Sequence, residues 1–342
     1  VLATSGEDAF EAVFSVAAAR LQAPHDLPLR TAVSEVSNRE PSLGIDPLAK
    51  APDALLARVD ELLRPVLDEA GALDAVFELL VPRLAKSDKG QFFTPRHVVD
   101  FVLELLAPRK GEVLVDPACG SGAFLSAARK AGAEAHGGDI DARAVRVARL
   151  LALAEGGRPE HVRLGDSLRG STFPLADVVA TNPPFAGLAP SEGFSLGHLL
   201  KRPERDALFL ERSLAMLRPG GRLGIVLPYN KAAGSAFAPL RRWLLEQARV
   251  YAICGLARET FLPHTSQRTF VLLARKRAQQ QQQHGRCAFE RVENEKTIFV
   301  VSERGGKDAA GELLRATDGR VDHDLTESAS AIRAFLAEEE RT

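Results

Sequence analysis

Residues 177 to 185, Asp177-Val178-Val179-Ala180-Thr181-Asn182-Pro183-Pro184-Phe185, carry an apolar run into an amide, two prolines and an aromatic ring. The prolines fix φ and supply no N–H, so carbonyl groups in this turn stay free to accept hydrogen bonds. Asn182 adds a side-chain carbonyl, and Phe185 offers a stacking face. Together they suit a planar amine such as the exocyclic amino group of adenine, whose lone pair is delocalised into the base. Two acceptors would orient its two hydrogens and help free that lone pair for attack, which is what methylation at nitrogen requires. A Pro-rich turn closing a buried strand would use the same residues.

A second segment makes the chemical reading more specific. Residues 112 to 125 read Glu-Val-Leu-Val-Asp-Pro-Ala-Cys-Gly-Ser-Gly-Ala-Phe-Leu, an apolar strand running into a glycine turn and then a helical pattern. Gly120 and Gly122 let the backbone come close to a ligand, as dinucleotide-binding turns do. Leu125 stands where the G-x-G-x-x-G fingerprint needs its last glycine, so the pyrophosphate signature is broken. A cofactor with a nucleoside and no pyrophosphate fits better, and S-adenosylmethionine is the obvious candidate. Asp139 ends a strand-like segment 23 residues beyond Asp116, near the spacing of roughly 20 expected of an acid that binds ribose hydroxyls. Asp141 reads as a helix N-cap. Asp166, after the strand-like His161-Val162-Arg163-Leu164, would accept a hydrogen bond from the cofactor's adenine amine.

These segments resemble the amino-methylating DNA methyltransferases that use S-adenosylmethionine, and most closely the modification subunit of type I restriction-modification systems. Gly90-Gln91-Phe92-Phe93-Thr94-Pro95-Arg96 is similar to the cofactor motif that precedes the glycine turn in this subclass. Asp116-Pro117-Ala118-Cys119-Gly120-Ser121-Gly122 is similar to the glycine motif, Asn182-Pro183-Pro184-Phe185 to the catalytic motif, and Gly220 to Pro228 to a later strand. The resemblance implies a cofactor site made by Phe92, Phe93, Thr94, Asp116, Ala118, Gly120, Gly122, Asp139, Ile140, Asp166 and Ser167. It implies catalysis at Asn182, Pro183, Pro184 and Phe185. Its substrate would be double-stranded DNA with an adenine flipped out of the stack, held on Phe185 with Phe261 as the second aromatic face. Its partners would be a DNA-specificity subunit and a restriction nuclease subunit. N5 methylation of a protein glutamine, RNA adenine methylation and a catalytically silent assembly subunit are the alternatives.

The composition narrows the field. Cys119, Cys254 and Cys287 are too few and too scattered for a disulfide framework or a zinc site, so no metal and a reducing cytoplasm are expected. No apolar run approaches the roughly 20 residues of a membrane span. The net charge of −1 hides a division. Residues 1 to 88 hold 8 Lys and Arg against 15 Asp and Glu, whereas residues 186 to 277 hold 15 against 6. A phosphate backbone is attracted to the second segment and repelled by the first.

The chemical residues must be positioned by elements that the hydrophobic pattern predicts. Residues 1 to 88 read as an acidic helical domain for partner docking, with Phe10, Val13, Phe14, Val16 and Ala17 at helical spacing and Leu55, Val59, Leu62, Leu63, Val66 and Leu67 repeating it. Residues 89 to 277 alternate strands and helices, which predicts an α/β fold with a doubly wound, mostly parallel seven-stranded sheet. Strands are expected at 112–116, 134–139, 161–164, 176–180, 222–227, 249–255 and 268–275, the last forming a hairpin with its neighbour. Residues 278 to 342 form a C-terminal extension, a second candidate partner contact, with a glutamine tract at Gln279–Gln283, one more possible strand at Lys296–Val301 and a surface helix at Ala329–Glu340. No helix-turn-helix or zinc pattern is evident after the last core strand, so sequence reading is expected from the specificity subunit.

Overall fold

The computed structural model describes residues 6–24, 26–45, 52–67, 76–77, 94–170, 172–185, 187–278, 295–339 and 341. Among the described residues, α1 (Gly6–Gln22), α2 (Leu29–Arg39) and α3 (Asp53–Leu67) come first. Next come α4 (Arg96–Leu106), β1 (Val113–Asp116), α5 (Ala123–Lys130), β2 (Glu134–Asp139), α6 (Ala142–Ala154), β3 (Val162–Leu164) and β4 (Ala176–Thr181). After the short α7 (Ser195–Leu199) the chain runs through α8 (Arg205–Met216), β5 (Leu217–Pro228), α9 (Asn230–Ala233) and α10 (Ala238–Gln247). It then forms β6 (Ala248–Gly255), β7 (Thr269–Lys276), β8 (Ile298–Val301) and α11 (Leu325–Glu339).

The strands make one sheet in the order β3-β2-β1-β4-β5-β7-β6-β8. β1 pairs parallel with β2 and β4, so the chain turns back on itself at β1 and winds outward in both directions. A crevice therefore opens beyond the carboxyl ends of β1 and β4, where open α/β sheets bind ligands. β7 runs antiparallel between β5 and β6. Among the described residues the sheet has eight strands rather than the expected seven, because Ile298–Val301 adds parallel to β6. Phe299 and Val301 alternate outward on this strand, 71% and 72% exposed.

The expected boundary at 88/89 lies outside the described residues, and segments on either side of both expected boundaries share buried clusters. Phe10, Phe14, Val33, Leu43, Leu56 and Phe77 pack in one cluster with Val147, Leu150 and Leu151 of α6. Arg146 of α6 grips Glu11 through both terminal nitrogens, at 2.5 and 2.8 Å, and donates from Nε to the Leu43 carbonyl at 2.8 Å. One position in the helical pattern of α3 does not face inward: Leu62 is 56% exposed. At the other end, α11 is not the surface helix expected. Leu325, Ala329 and Ile332 are buried in the same cluster as Val98, Val102 and Leu106 of α4. Gln279–Gln283 lie outside the described residues.

Candidate active site

β1, β2 and β4 all deliver polar side chains to the crevice. Asp116 ends β1 and is 1% exposed, and its Oδ1 accepts from the Ala118 amide at 3.0 Å. Burial pushes its carboxyl up to about 7. Asp139 ends β2 and ties two turns together. Its Oδ2 accepts from the Gly120 amide and its Oδ1 from the Asp141 amide, each at 2.9 Å. Burial raises its carboxyl, and these two amide bonds oppose the rise without cancelling it.

The two glycines of the turn do different work. Both adopt positive φ, 52° at Gly120 and 96° at Gly122, where side chains are strained. A Cβ at Gly120 would meet nothing within 4 Å, so this residue leaves the cavity open. A Cβ at Gly122 would stand 3.1 Å from the Ala148 Cβ, so this glycine lets α6 approach the turn. Asp141 is the N-cap of α6, its Oδ1 accepting from the amides of Arg143 and Ala144.

The cavity so formed has a volume of about 340 Å³, within the range of small-molecule sites. Asp116, Ala118, Gly120, Asp139, Ile140, Asp166, Ser167, Asn182, Pro183 and Pro184 all line it. Ile140 is 63% exposed although apolar, which leaves a greasy face beside the Asp139 carboxyl. Gly122 stands behind the wall, and Phe92 and Phe93 lie outside the described residues. Sequence reasoning missed the opposite wall of Leu188, Ala189, Pro190, Arg205 and Phe209. The Arg205 amide, which donates to the Gly187 carbonyl at 2.9 Å, holds this wall in place. Phe209 reads as an ordinary core position of α8, so no local signal identified it.

Asn182 shows the sharpest polar asymmetry. Its Nδ2 donates to the Thr94 hydroxyl oxygen at 3.0 Å, while its Oδ1 is buried with no hydrogen-bond partner. An acceptor left unsatisfied at a cavity wall is ready for a donor that arrives with a ligand. Phe185 and Phe261 are brought together, but perpendicular to one another, with centroids 5.9 Å apart at 88°. Phe185 is 9% exposed and Phe261 2% exposed. Rings that touch edge to face do not form two parallel walls, so a base cannot be sandwiched between them as they stand.

The basic segment is also less available than its charge suggests. Arg218, Arg222, Lys231 and Arg277 are committed to Asp177, Glu112, Glu204 and Glu295. Glu134, His136 and His161 cluster at the start of β2, but the two imidazoles stack at 3.9 Å and 15°. Their in-plane lone pairs then run side by side rather than converging on an ion.

The strand order with its antiparallel β7, and the crevice at β1 and β4, define the S-adenosylmethionine-dependent methyltransferase fold. The chain belongs to the N-6 DNA Methylase family, whose profile matches residues 69–308. It is 30% identical over 201 residues to the type I restriction enzyme EcoKI methylase subunit of Escherichia coli K12, a match covering 50% of this chain and 37% of that protein. The chain thus matches well under two thirds of that relative's length. Among solved structures, the type I restriction-modification methyltransferase subunit of Streptococcus thermophilus superposes with a TM-score of 0.64 at 20% identity, covering 89% of this chain and 68% of that one. A class I S-adenosylmethionine-dependent methyltransferase fold from Listeria monocytogenes gives 0.58 at 18% identity, covering 88% and 93%. Among the described residues, no helix is long and apolar enough to cross a membrane.

Proposed function

We propose that this chain transfers a methyl group from S-adenosylmethionine to the N6 amino group of adenine in DNA. The observation that carries the reading is the partnerless buried Oδ1 of Asn182 at the wall of the cavity. The lining fits the cofactor: Asp139 accepts from ribose hydroxyls, Ile140 covers one face of its adenine, and Asp166 accepts from the adenine amine. Bound there, the cofactor supplies an electrophilic methyl group on a positively charged sulfur. Asn182 Oδ1 and a carbonyl of the Pro183-Pro184 turn accept the two hydrogens of the target amine and point its nitrogen at that methyl. The chemistry the cofactor would supply is transfer of that methyl to the amine nitrogen, with the C–S electron pair kept by the departing thioether and the extra proton of the methylated nitrogen released to solvent. Phe185 supplies the stacking face, and Phe261 bounds that ring edge-on.

Several of the curated relatives are named as methylase subunits of type I enzymes and others as type II methyltransferases; the former support a shared assembly. In this proposal a specificity subunit reads the DNA sequence, since base contacts select a site and phosphate contacts do not. The acidic helices and the C-terminal segment are the proposed docking surfaces, a nuclease subunit completes the system, and the cytoplasm is its compartment. Nucleoside mass spectrometry of DNA from a host expressing the chain with its neighbouring genes tests the reading. N6-methyladenine should accumulate, and should be absent from the Asn182→Ala strain. Methylated protein glutamine or methylated RNA adenine, with unmodified DNA, would replace the proposal by one of its alternatives.

Asp116 makes cofactor binding depend on pH. Its buried carboxyl titrates at about 7, so in the free protein it is largely protonated below that pH. A cationic ligand favours the ionised carboxylate and expels the proton. Affinity for S-adenosylmethionine should therefore rise by up to about tenfold from pH 6 to pH 8 and then level off. Calorimetry across this range should find the slope in the natural protein and lose it in Asp116→Asn. The fold without cofactor should follow the opposite trend. A carboxyl raised by folding adds stability below its unfolded pKa, and that stability is lost as pH rises through about 7.

A further inference from the structure

We propose that Arg205 binds a backbone phosphate next to the flipped adenine and so anchors the target strand at the mouth of the cavity. This inference deepens the reading of DNA as the substrate and rests on it. Arg205 is the first residue of α8, half-buried, and lines the cavity on the wall opposite Asp139. A Cβ added at Gly187 would stand 3.7 Å from a terminal nitrogen of its guanidinium. Gly187 is the second residue after Phe185, the proposed stacking face for the base. Among the described residues this guanidinium makes no hydrogen bond or ion pair. Arg169, the other arginine at the cavity, is engaged with Asp166 at 3.5 Å.

The residues on either side aim Arg205 at the cavity. Glu204 and Asp206 both reach Lys231, whose Nζ lies 2.5 Å from Glu204 Oε2 and 3.0 Å from Asp206 Oδ1. Successive side chains at a helix start are about 100° apart, so a cation met by both flanks lies on the far side from the residue between them. Lys231 is 1% exposed and Asp206 is wholly buried, and breaking a buried ionic cluster is costly. The Arg205 amide also donates to the Gly187 carbonyl at 2.9 Å, and Glu204 bridges Leu188. The start of α8 and the loop after the catalytic turn therefore form one unit, with the guanidinium on its cavity side. The cofactor carries a sulfonium and an ammonium against one carboxylate, and the acids Asp116 and Asp139 suit that cation. A base held on Phe185 leaves the phosphates of its own nucleotide at the mouth, beside this loop. A guanidinium takes a phosphate by two parallel N–H bonds, a contact that fixes the strand without reading its sequence.

The test compares Arg205→Gln and Arg205→Lys with the natural protein, in the full chain assembled with its co-expressed partners, on duplexes carrying its mapped methylation site. The readouts are DNA affinity across a salt series and calorimetric affinity for S-adenosylmethionine. Arg205→Gln should weaken DNA binding about tenfold near about 0.1 M salt and make the slope of log affinity against log salt shallower by about 0.9, the share of one phosphate. Arg205→Lys keeps the charge and should keep the slope. Cofactor affinity should stay within about twofold in both variants, which also shows that the site is folded. Replacing the phosphates beside the target adenine one at a time by an uncharged methylphosphonate should reproduce the loss in the natural protein and add nothing in Arg205→Gln. An unchanged salt slope in Arg205→Gln, or equal methylphosphonate losses in both proteins, would overturn the proposal. A loss of cofactor affinity in Arg205→Gln with DNA binding intact would also overturn it, in favour of the cofactor's carboxylate. DNA left unmethylated by the natural assembly would instead remove the substrate reading beneath it.

Discussion

Asn182→Ala is expected to reduce methyl-transfer turnover by about 100- to 1,000-fold, the range seen when one preorganised group that stabilises a transition state is removed. Affinity for S-adenosylmethionine should change by less than about threefold. The two effects separate because the Oδ1 of Asn182 has no partner in the free protein. Its interaction is made only with the target amine and strengthens as that nitrogen gives up its conjugation with the base. An interaction confined to the transition state appears in kcat and not in the binding of the other substrate. Single-turnover methylation by the assembled enzyme measures the first effect and calorimetry the second. Near-normal turnover would remove Asn182 from the mechanism, and a large loss of cofactor affinity would make it a structural residue of the cavity.

Asp139→Ala is expected to do the reverse, weakening S-adenosylmethionine binding by about 30- to 100-fold. Two roles meet in this carboxylate. Its oxygens already hold the Gly120 and Asp141 amides at 2.9 Å, which sets the glycine turn against the end of β2. Their remaining lone pairs are left for ribose hydroxyls. The loss corresponds to about 2 to 3 kcal/mol, the scale of hydrogen bonds to a charged acceptor. Asp139→Asn should fall between the two, because an amide keeps one acceptor oxygen and loses the charge. Turnover at saturating cofactor should be much less affected than affinity. Unchanged affinity in Asp139→Ala would sink the assignment of this acid to the ribose.

How much of this was legible in the sequence follows from the range of each interaction. The strand ends and their polar residues were readable because each is written within a few positions. An apolar run followed by Asp116 and two glycines, or by Asn182 and two prolines, constrains its own backbone. Open α/β sheets then place all such ends on one side, so the gathering of Asp116, Asp139, Asp166 and Asn182 around one crevice was foreseeable. The N-cap at Asp141 was local in the same sense.

Tertiary structure alone decided whatever depends on contacts between distant segments. It placed Thr94 beside the Asn182 amide, and it supplied the far wall of the cavity from Leu188, Ala189, Pro190, Arg205 and Phe209. It set Phe185 and Phe261 perpendicular, an orientation that no local pattern specifies. It also merged the three stretches of chain into shared cores. The apolar face of α1 was visible as a helical stripe through Phe10, Phe14 and Ala17, but a stripe specifies only that something must cover it, and the covering elements include α6. In the same way, the acidic end of α11 suggested a solvated helix, while Leu325, Ala329 and Ile332 buried one side of it. Hydrophobic burial is non-directional, so the pattern along a helix records that a face is apolar, and only the packed molecule records what that face meets.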